Sequence, residues 1–442
     1  MIWILSEDFM KRHIKSGYAS ISSTICHASE GLSFDGCRRE LSLRLNRTLC
    51  RIVRTILCLP FCACLFLQKS LGEEFNSPVG MASELINTSS NLPIPISAII
   101  ATQRLEMTTA FRTRNISIPP EFNNFFCLVK SNDWQQADKI YKEIMRQKQE
   151  NLESIWKIKG LSEPIYVTYW THYWFSRWPC TQIVAYAQEM LAGLSDKSIL
   201  FTSTDAGLIF GAAYKCVIGQ KYPIIIAINR LADPDYRNYI HEMYPELCFP
   251  HEKVVWDMAK DILPITSSNK EHVIVSTNWE QILQLSILIL KKIFDANKDQ
   301  YQFFVDEGYT VPWMYAYLEP HGLLLKLNNH QLQKLEDDSI KNDSQYWNVL
   351  FKTKILHAKQ HGGAAVSAYA KKRTAIGGLY AYRKLYEEAE NAYHQAIDIS
   401  PDFPEPYFRL AKIYDEQGKK EEACKILQLC RQRNPGCDTP TK

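Results

Sequence analysis

The body of this chain has almost no net charge. Residues 1–72 carry ten Lys and Arg against five Asp and Glu, which leaves 41 against 43 from residue 73 onward. Without a basic field, that body has no electrostatic footprint for nucleic acid. Metal-site spacing is missing too. Six of the 13 cysteines precede residue 65, and the others are Cys127, Cys180, Cys216, Cys248, Cys424, Cys430 and Cys437. These seven contain no CxxC and no Cys/His cluster, which excludes the common zinc sites. An odd, scattered set makes no disulfide framework, and most are expected as small core residues. No G-x-G-x-x-G loop follows a strand and no G-x-S-x-G elbow occurs. Neither a cofactor nor a resident metal is expected.

Hydrophobic content of 46% and charged content of 22% over 442 residues describe a globular protein of two or three domains. The N-terminal apolar run Ile56–Leu67 rises only about 18 Å as a helix, short of a bilayer core of roughly 30 Å. Arg44, Arg47, Arg51 and Arg54 precede it, and Ser70-Leu71-Gly72 follow it. This is the charge, core and cleavage order of a secretory signal. Residues 1–72 therefore read as a leader with its signal-like segment at 56–67, and Glu73 as the mature start. No Met lies between Met10 and Met81, so the reading places the true start near Leu41 or Leu43. The expected location is exported (periplasmic) or membrane-tethered. If the signal reading fails, the protein is cytoplasmic.

Residues 73–120, rich in Ser, Asn and Pro, read as a flexible linker. Trp134, Ala137, Tyr141 and Ile144 then fall at helical spacing after an Asn132-Asp133 turn, which predicts a helical hairpin over 121–160. In IYVTYWTHYWFSRWP, Tyr166, Tyr169, Trp170, Tyr173, Trp174 and Trp178 recur three or four apart. The pattern fits a helix packed deep in the fold, a sugar-stacking platform or an interfacial belt.

From 161 to 335, apolar strands alternate with amphipathic helices. The expected strands are SILFTS, YPIIIAIN, HVIVS, YQFFVDE and HGLLLKL. Such alternation predicts an α/β three-layer domain with a mostly parallel sheet. Sheets of this kind bind ligands outside the carboxyl ends of their strands. The candidate ligand residues there are Asp205, Asn229, Arg230, Asp306 and Glu307, with Trp313 and His321 in the following loop. Thr202–Asp205 holds one carboxylate and not the Asp-x-Asp of a phosphatase, so a helix cap is the simpler role for Asp205. Asp233-Pro234-Asp235 is an Asp-x-Asp, and equally an N-cap followed by a first-turn proline.

Residues 336–442 read as helical, with a 34-residue period over 370–403 and 404–437. Ile376, Gly377, Tyr380, Ala389, Tyr393, Ala396 and Pro401 mark the first unit. Tyr407, Leu410, Ala411, Tyr414, Ala423, Leu427, Cys430 and Pro435 mark the second. These positions resemble the tetratricopeptide repeat family, which implies an all-α repeat region and a protein partner. Arg373 departs from the pattern, where an aromatic is usual.

A second resemblance rests on ILFTSTDAG, IIIAINRLADPDY and FFVDEGYTVPWMYAYLEPHGLLLKL followed by those repeats. The order is similar to the soluble C-terminal region of bacterial polytopic membrane proteins of the protein O-mannosyltransferase-like type. Leu208 stands where that family commonly has Arg. The resemblance implies a non-catalytic accessory protein for envelope glycosylation, with a membrane glycosyltransferase as partner. The alternatives are a sugar- or nucleotide-binding enzyme with a site at the sheet edge, and a cytoplasmic repeat scaffold.

Overall fold

The computed structural model describes residues 96–149, 161–175, 180–202, 211, 223–262, 279–306, 311–360 and 364–434. The expected signal segment at 56–67 and the expected strand at HVIVS lie outside these residues. So do Asp205 and Glu307. Among the described residues, no helix is long and apolar enough to cross a membrane.

The described chain opens with helix α1, Ile96–Thr113, inside the segment expected to be a flexible linker. Its periodicity is masked by composition. The buried stripe runs Ile99, Thr102, Gln103, Glu106, Met107 and Phe111, and half of it is polar. Tyr239 donates to the Glu106 carboxylate, so a polar side chain sits on the inner face with a partner. Helices α2 (Pro120–Lys130) and α3 (Trp134–Gln149) follow, joined through Asn132 at φ 63°. Asn tolerates this left-handed backbone better than most residues. Helix α4, Glu163–Phe175, closes a satellite core in which Phe122, Phe125 and Tyr141 meet Ile165. The aromatic stretch is thus a packed helix, with Tyr166, Trp170 and Trp174 buried.

Helix α5 (Cys180–Leu191) leads into strand β1 (Ser198–Thr202), which is buried along its whole length. Next come β2 (Ile224–Ala227), a 3-10 turn at Ile228–Arg230, and helices α6 (Pro234–Met243), α7 (Glu252–Ile262) and α8 (Trp279–Asn297). With strand β3 (Gln302–Val305), a 3-10 turn at Pro312–Ala316, β4 (Leu318–His321) and β5 (Leu324–Leu327), the described residues form a five-stranded sheet of order β2-β1-β3-β5-β4. β1 is parallel to β2 and β3, whereas β5 is antiparallel to β3 and β4.

The sheet is therefore mixed, and the expectation of a mostly parallel three-layer sheet is corrected. Only Gly322 and Leu323 separate β4 from β5. A connection that short forces antiparallel pairing, because a parallel crossover needs a dozen or more residues. Gly322 supplies the positive φ, 61°, that the tight turn needs. β4 escapes sequence detection because LEPH carries Glu319 and Pro320. A proline is tolerated there because β4 is an edge strand.

Helix α9 (Asp337–Leu350), a π-helical turn (Phe351–Ile355) and α10 (Leu356–Gln360) lead to two helix pairs. The first pair is α11 (Ala364–Tyr382) with α12 (Tyr386–Ile399), and the second is α13 (Glu405–Glu416) with α14 (Lys420–Arg433). From Ala365 to Tyr380, α11 has no exposed residue. A helix covered all round is interior to the fold. One core runs from Ile199 and Phe304 in the sheet through Tyr369 and Leu379 in α11 to Leu410 and Cys430. Cys430 is buried, while Cys127, Cys248 and Cys424 are exposed and unbridged. These three stand on the surface instead of in the core.

Close approach of α11 and α12 depends on Gly377. A Cβ there would stand 2.7 Å from the Tyr393 ring. Gly377→Ala should lower stability by about 1–3 kcal/mol through overpacking. Thermal or urea melting of the full chain measures this. An unchanged midpoint would mean that Tyr393 moves aside freely.

Candidate functional site

The parallel strands β2, β1 and β3 end on one side of the sheet, in a row that pairs Ala227 with Thr202. Asp306 continues this row, since its N–H donates to the Phe201 carbonyl at 3.1 Å. His321, at the end of β4, pairs with Leu324 on the same side. The topology thus brings Asn229, Arg230, Asp306 and His321 to one edge. Trp313 belongs to the turn beyond β3 and packs on Phe294 and Tyr317, with the Lys291 ammonium 5.0 Å over its ring.

Among the described residues, Asp306 and Arg230 each have an internal partner at this edge. Thr202 Oγ1 donates to Asp306 Oδ2 at 2.6 Å. Lys372 of α11 brings its ammonium to 3.7 Å from the same oxygen, with both side chains 2% exposed. Arg230 forms a bidentate pair with Glu163 of α4, buried on both sides. Its guanidinium is sandwiched by Tyr166 and Tyr236, whose ring centroids lie 4.0 and 4.5 Å away. Burial alone would pull the Arg230 pKa down, but the adjacent Glu163 carboxylate and Tyr166 hold it well above its ordinary value. Tyr236 also receives the Ala227 N–H on its hydroxyl at 2.8 Å, which fixes the end of β2. Asn229 is half-buried, and its Oδ1 has no hydrogen-bond partner.

Asp233 caps α6, accepting the Asp235 N–H at 2.9 Å with Pro234 in the first turn. Of the two readings of Asp-Pro-Asp, the geometry is that of the cap. Among the described residues, no three His, Cys, Asp or Glu side chains gather as a metal site.

A second set of contacts joins the sheet to the C-terminal helices. Arg373 donates to Asp343 Oδ2 at 2.6 Å and to Gln395 Oε1 at 2.7 Å, and lies 5.1 Å over the Trp347 ring. Tyr380 donates to the same Asp343 oxygen at 2.8 Å. Burial and the Asp343 charge raise the Tyr380 pKa far enough to keep it a donor. These contacts explain why an arginine replaces the usual aromatic at 373, since its partner is α9. Arg383 donates to the carbonyls of Leu332, Tyr315 and Ala316 at 2.6, 3.0 and 2.8 Å. Tyr315 stacks on Tyr382 with centroids 4.8 Å apart.

Lys372, Glu163 and Arg383 were not singled out from the sequence. One signal was available. Lys372 and Arg373 interrupt a helix that otherwise carries no polar face, and charges in such a helix must find partners inside.

Residues 382–439 match the family model described as Tetratricopeptide repeat. This segment is a tetratricopeptide repeat. The match starts at the end of α11 and takes in α12, α13 and α14. No curated protein matches the chain, and no solved structure does. Repeats of this kind present extended surfaces that bind other proteins, so a protein-interaction role follows for this part.

Two outcomes can be measured at this edge. Arg230→Met removes the guanidinium that pairs with buried Glu163 and should cost about 3–5 kcal/mol in a denaturant melt. A loss below 1 kcal/mol would return Arg230 to the list of free ligand groups. His321 gives a pH test. Partial desolvation beside the Phe304 ring, then the charge of Lys326, hold its pKa below the usual 6.5, although the side chain is solvent-exposed. The unfolded chain therefore takes up that proton first, and stability falls as pH drops below about 6.5. Because His321 is solvent-exposed, the slope is shallow, and His321→Asn should flatten it only slightly between pH 5 and 7, as read by melting temperature against pH.

Proposed function

We propose that this chain is a non-catalytic interaction protein, exported or membrane-tethered, that serves as an accessory subunit in envelope glycosylation. The observation that carries the reading is the repeat segment itself, built into one core with the sheet. A protein of this build holds a partner-binding surface rigidly on a second domain. The edge charges that an enzyme would need free, Arg230 and Asp306, are held by Glu163, Thr202 and Lys372. The glycosylation link rests on the motif order shared with the polytopic O-mannosyltransferase-like proteins. The apolar run at 56–67 supports export, and the cytoplasmic scaffold is the reading that remains without it.

One observation favours a second reading, a sugar- or nucleotide-binding site at the sheet edge. Asn229 Oδ1 is an unpartnered acceptor beside the strand ends, and Asp205 and Glu307 belong to the same edge by sequence. A ligand-dependent thermal shift lost in Asp205→Ala would support it.

The decisive experiment is a cross-linked pull-down from the membrane fraction with the full-length chain. Truncation before α11 is unsuitable because it removes part of the core. Tyr382 is 50% exposed and the Lys412 side chain 77% exposed, so a Tyr382→Ser/Lys412→Glu variant alters the repeat surface without opening the core. Recovery of a polytopic protein by the wild type, reduced at least tenfold in the variant, supports the accessory reading. Equal recovery by both assigns recognition to the sheet domain. Recovery by neither overturns the accessory reading.

A further inference from the structure

Helix α1 ends in a turn that carries two unused polar side chains. Its last carbonyls are capped by the residues that follow. The Asn115 N–H donates to the Arg112 carbonyl and the Ile116 N–H to the Phe111 carbonyl, both at 3.0 Å. Asn115 has φ 53°, the left-handed cap position that asparagine accepts. The turn is anchored beneath. Phe111 is fully buried, and Arg114 donates to Glu242 of α6 at 3.1 Å. Residues 116–119 then run without regular structure until α2 begins at Pro120. Ile116 and Ile118 pack on the satellite core, while Asn115 and Ser117 are exposed. This alternation is that of extended chain, and it turns both polar groups to solvent on one side.

Asn115-Ile116-Ser117 is an Asn-x-Ser triplet. The helix cap uses the Asn115 backbone alone. Among the described residues, the Asn115 amide, the Ser117 hydroxyl and the Ser117 N–H form no hydrogen bond. An Asn side-chain oxygen readily accepts from the residue two positions on, in an Asx turn. Both groups that such a turn needs are therefore available here. Asn342-Asp343-Ser344 is the contrasting case. It has the same spacing, but it lies inside α9 and its middle residue is only 4% exposed. Arg373 and Tyr380 hold Asp343 there, so that triplet cannot bend into an Asx turn without opening the core. The triplets at Asn46 and Asn87 lie outside the described residues.

We propose that Asn115 is the acceptor of an N-linked glycan, transferred from a lipid-diphosphate-linked oligosaccharide. The Asn115 amide nitrogen bonds to the anomeric carbon of the first sugar. The bond from that carbon to the diphosphate oxygen breaks, and the lipid diphosphate leaves with its electron pair. The amide proton passes to a base of the transferase, so the step needs no oxidant or reductant. Ser117 is a positioning residue, which holds the Asn115 side chain in the Asx turn. Asn-x-Ser in a surface turn is the acceptor pattern of secreted chains, and the glycan is bulky and stays in solvent. The inference rests on the export reading and adds to it a modification site and its donor class.

The test takes the full chain from the envelope fraction of the cells that make it. Mass spectrometry reads the mature N-terminus and the tryptic peptide 115–130. That peptide should carry sugar mass, and peptide N-glycosidase should remove it and convert Asn115 to aspartate. Asn115→Gln and Ser117→Ala should each abolish the added mass, while Ser117→Thr and Asn342→Gln should keep it. If Asn115→Gln melts early, Asn115→Gly restores a residue suited to the left-handed cap and should lose the glycan equally. Ser117→Ala leaves the cap bonds untouched. An unmodified 115–130 peptide overturns the inference. Found with Glu73 as the N-terminus, it leaves export standing, and found with the leader retained, it overturns export as well. Added mass that survives Ser117→Ala overturns the assignment to this triplet.

Discussion

Two cationic side chains on α11 point into the protein and find carboxylates there. Lys372 meets Asp306 at the sheet edge, and Arg373 meets Asp343 on α9. Buried pairs like these add little net stability, because desolvation offsets most of the Coulomb attraction. Losing one partner is costly, however, since the other is left charged and dry. The pairs therefore penalise every arrangement of the helices that separates them. α11 is held in one orientation on the sheet, and α12, α13 and α14 take their positions from it. The matched segment, residues 382–439, is shorter than the three units usually needed to stand alone. Here the sheet and α9 supply the missing neighbour.

The same contacts decide what the sheet edge can do. In doubly wound folds the carboxyl ends of parallel strands are open to ligands. In this protein, Thr202 and Lys372 converge on one oxygen of Asp306. Arg230 is drawn into the sheet's flank by Glu163 and two tyrosine rings. An edge built this way ties helices together. The repeat segment shares one core with the sheet, and Tyr382 and Lys412 lie on its solvent-facing surface.

The helical and strand signals that were read correctly share one property. Where burial follows residue type, as in SILFT, IIIA or the Ala and Tyr positions of the repeats, the pattern shows in the sequence. Where polar side chains are buried, it does not. The α1 stripe hides behind Thr102, Gln103 and Glu106. β4 hides behind Glu319 and Pro320, which an edge strand accepts. The direction of β5 was likewise invisible to composition. It follows from the two-residue link Gly322-Leu323, which leaves no room for a crossover.

The sequence by itself determined the repeat segment, because small residues at Ala389, Ala396 and Ala411 and large ones between them constrain helix packing locally. It also placed Asn229, Arg230 and Asp306 at strand ends, since a strand's end follows from its apolar run. Only the tertiary structure decided what those charges face. Glu163 lies 67 positions from Arg230, and Lys372 lies 66 from Asp306. Pairing across such distances depends on which helix covers which end of the sheet. No local pattern carries that information, because a charge reads the same whether it faces water or a buried carboxylate.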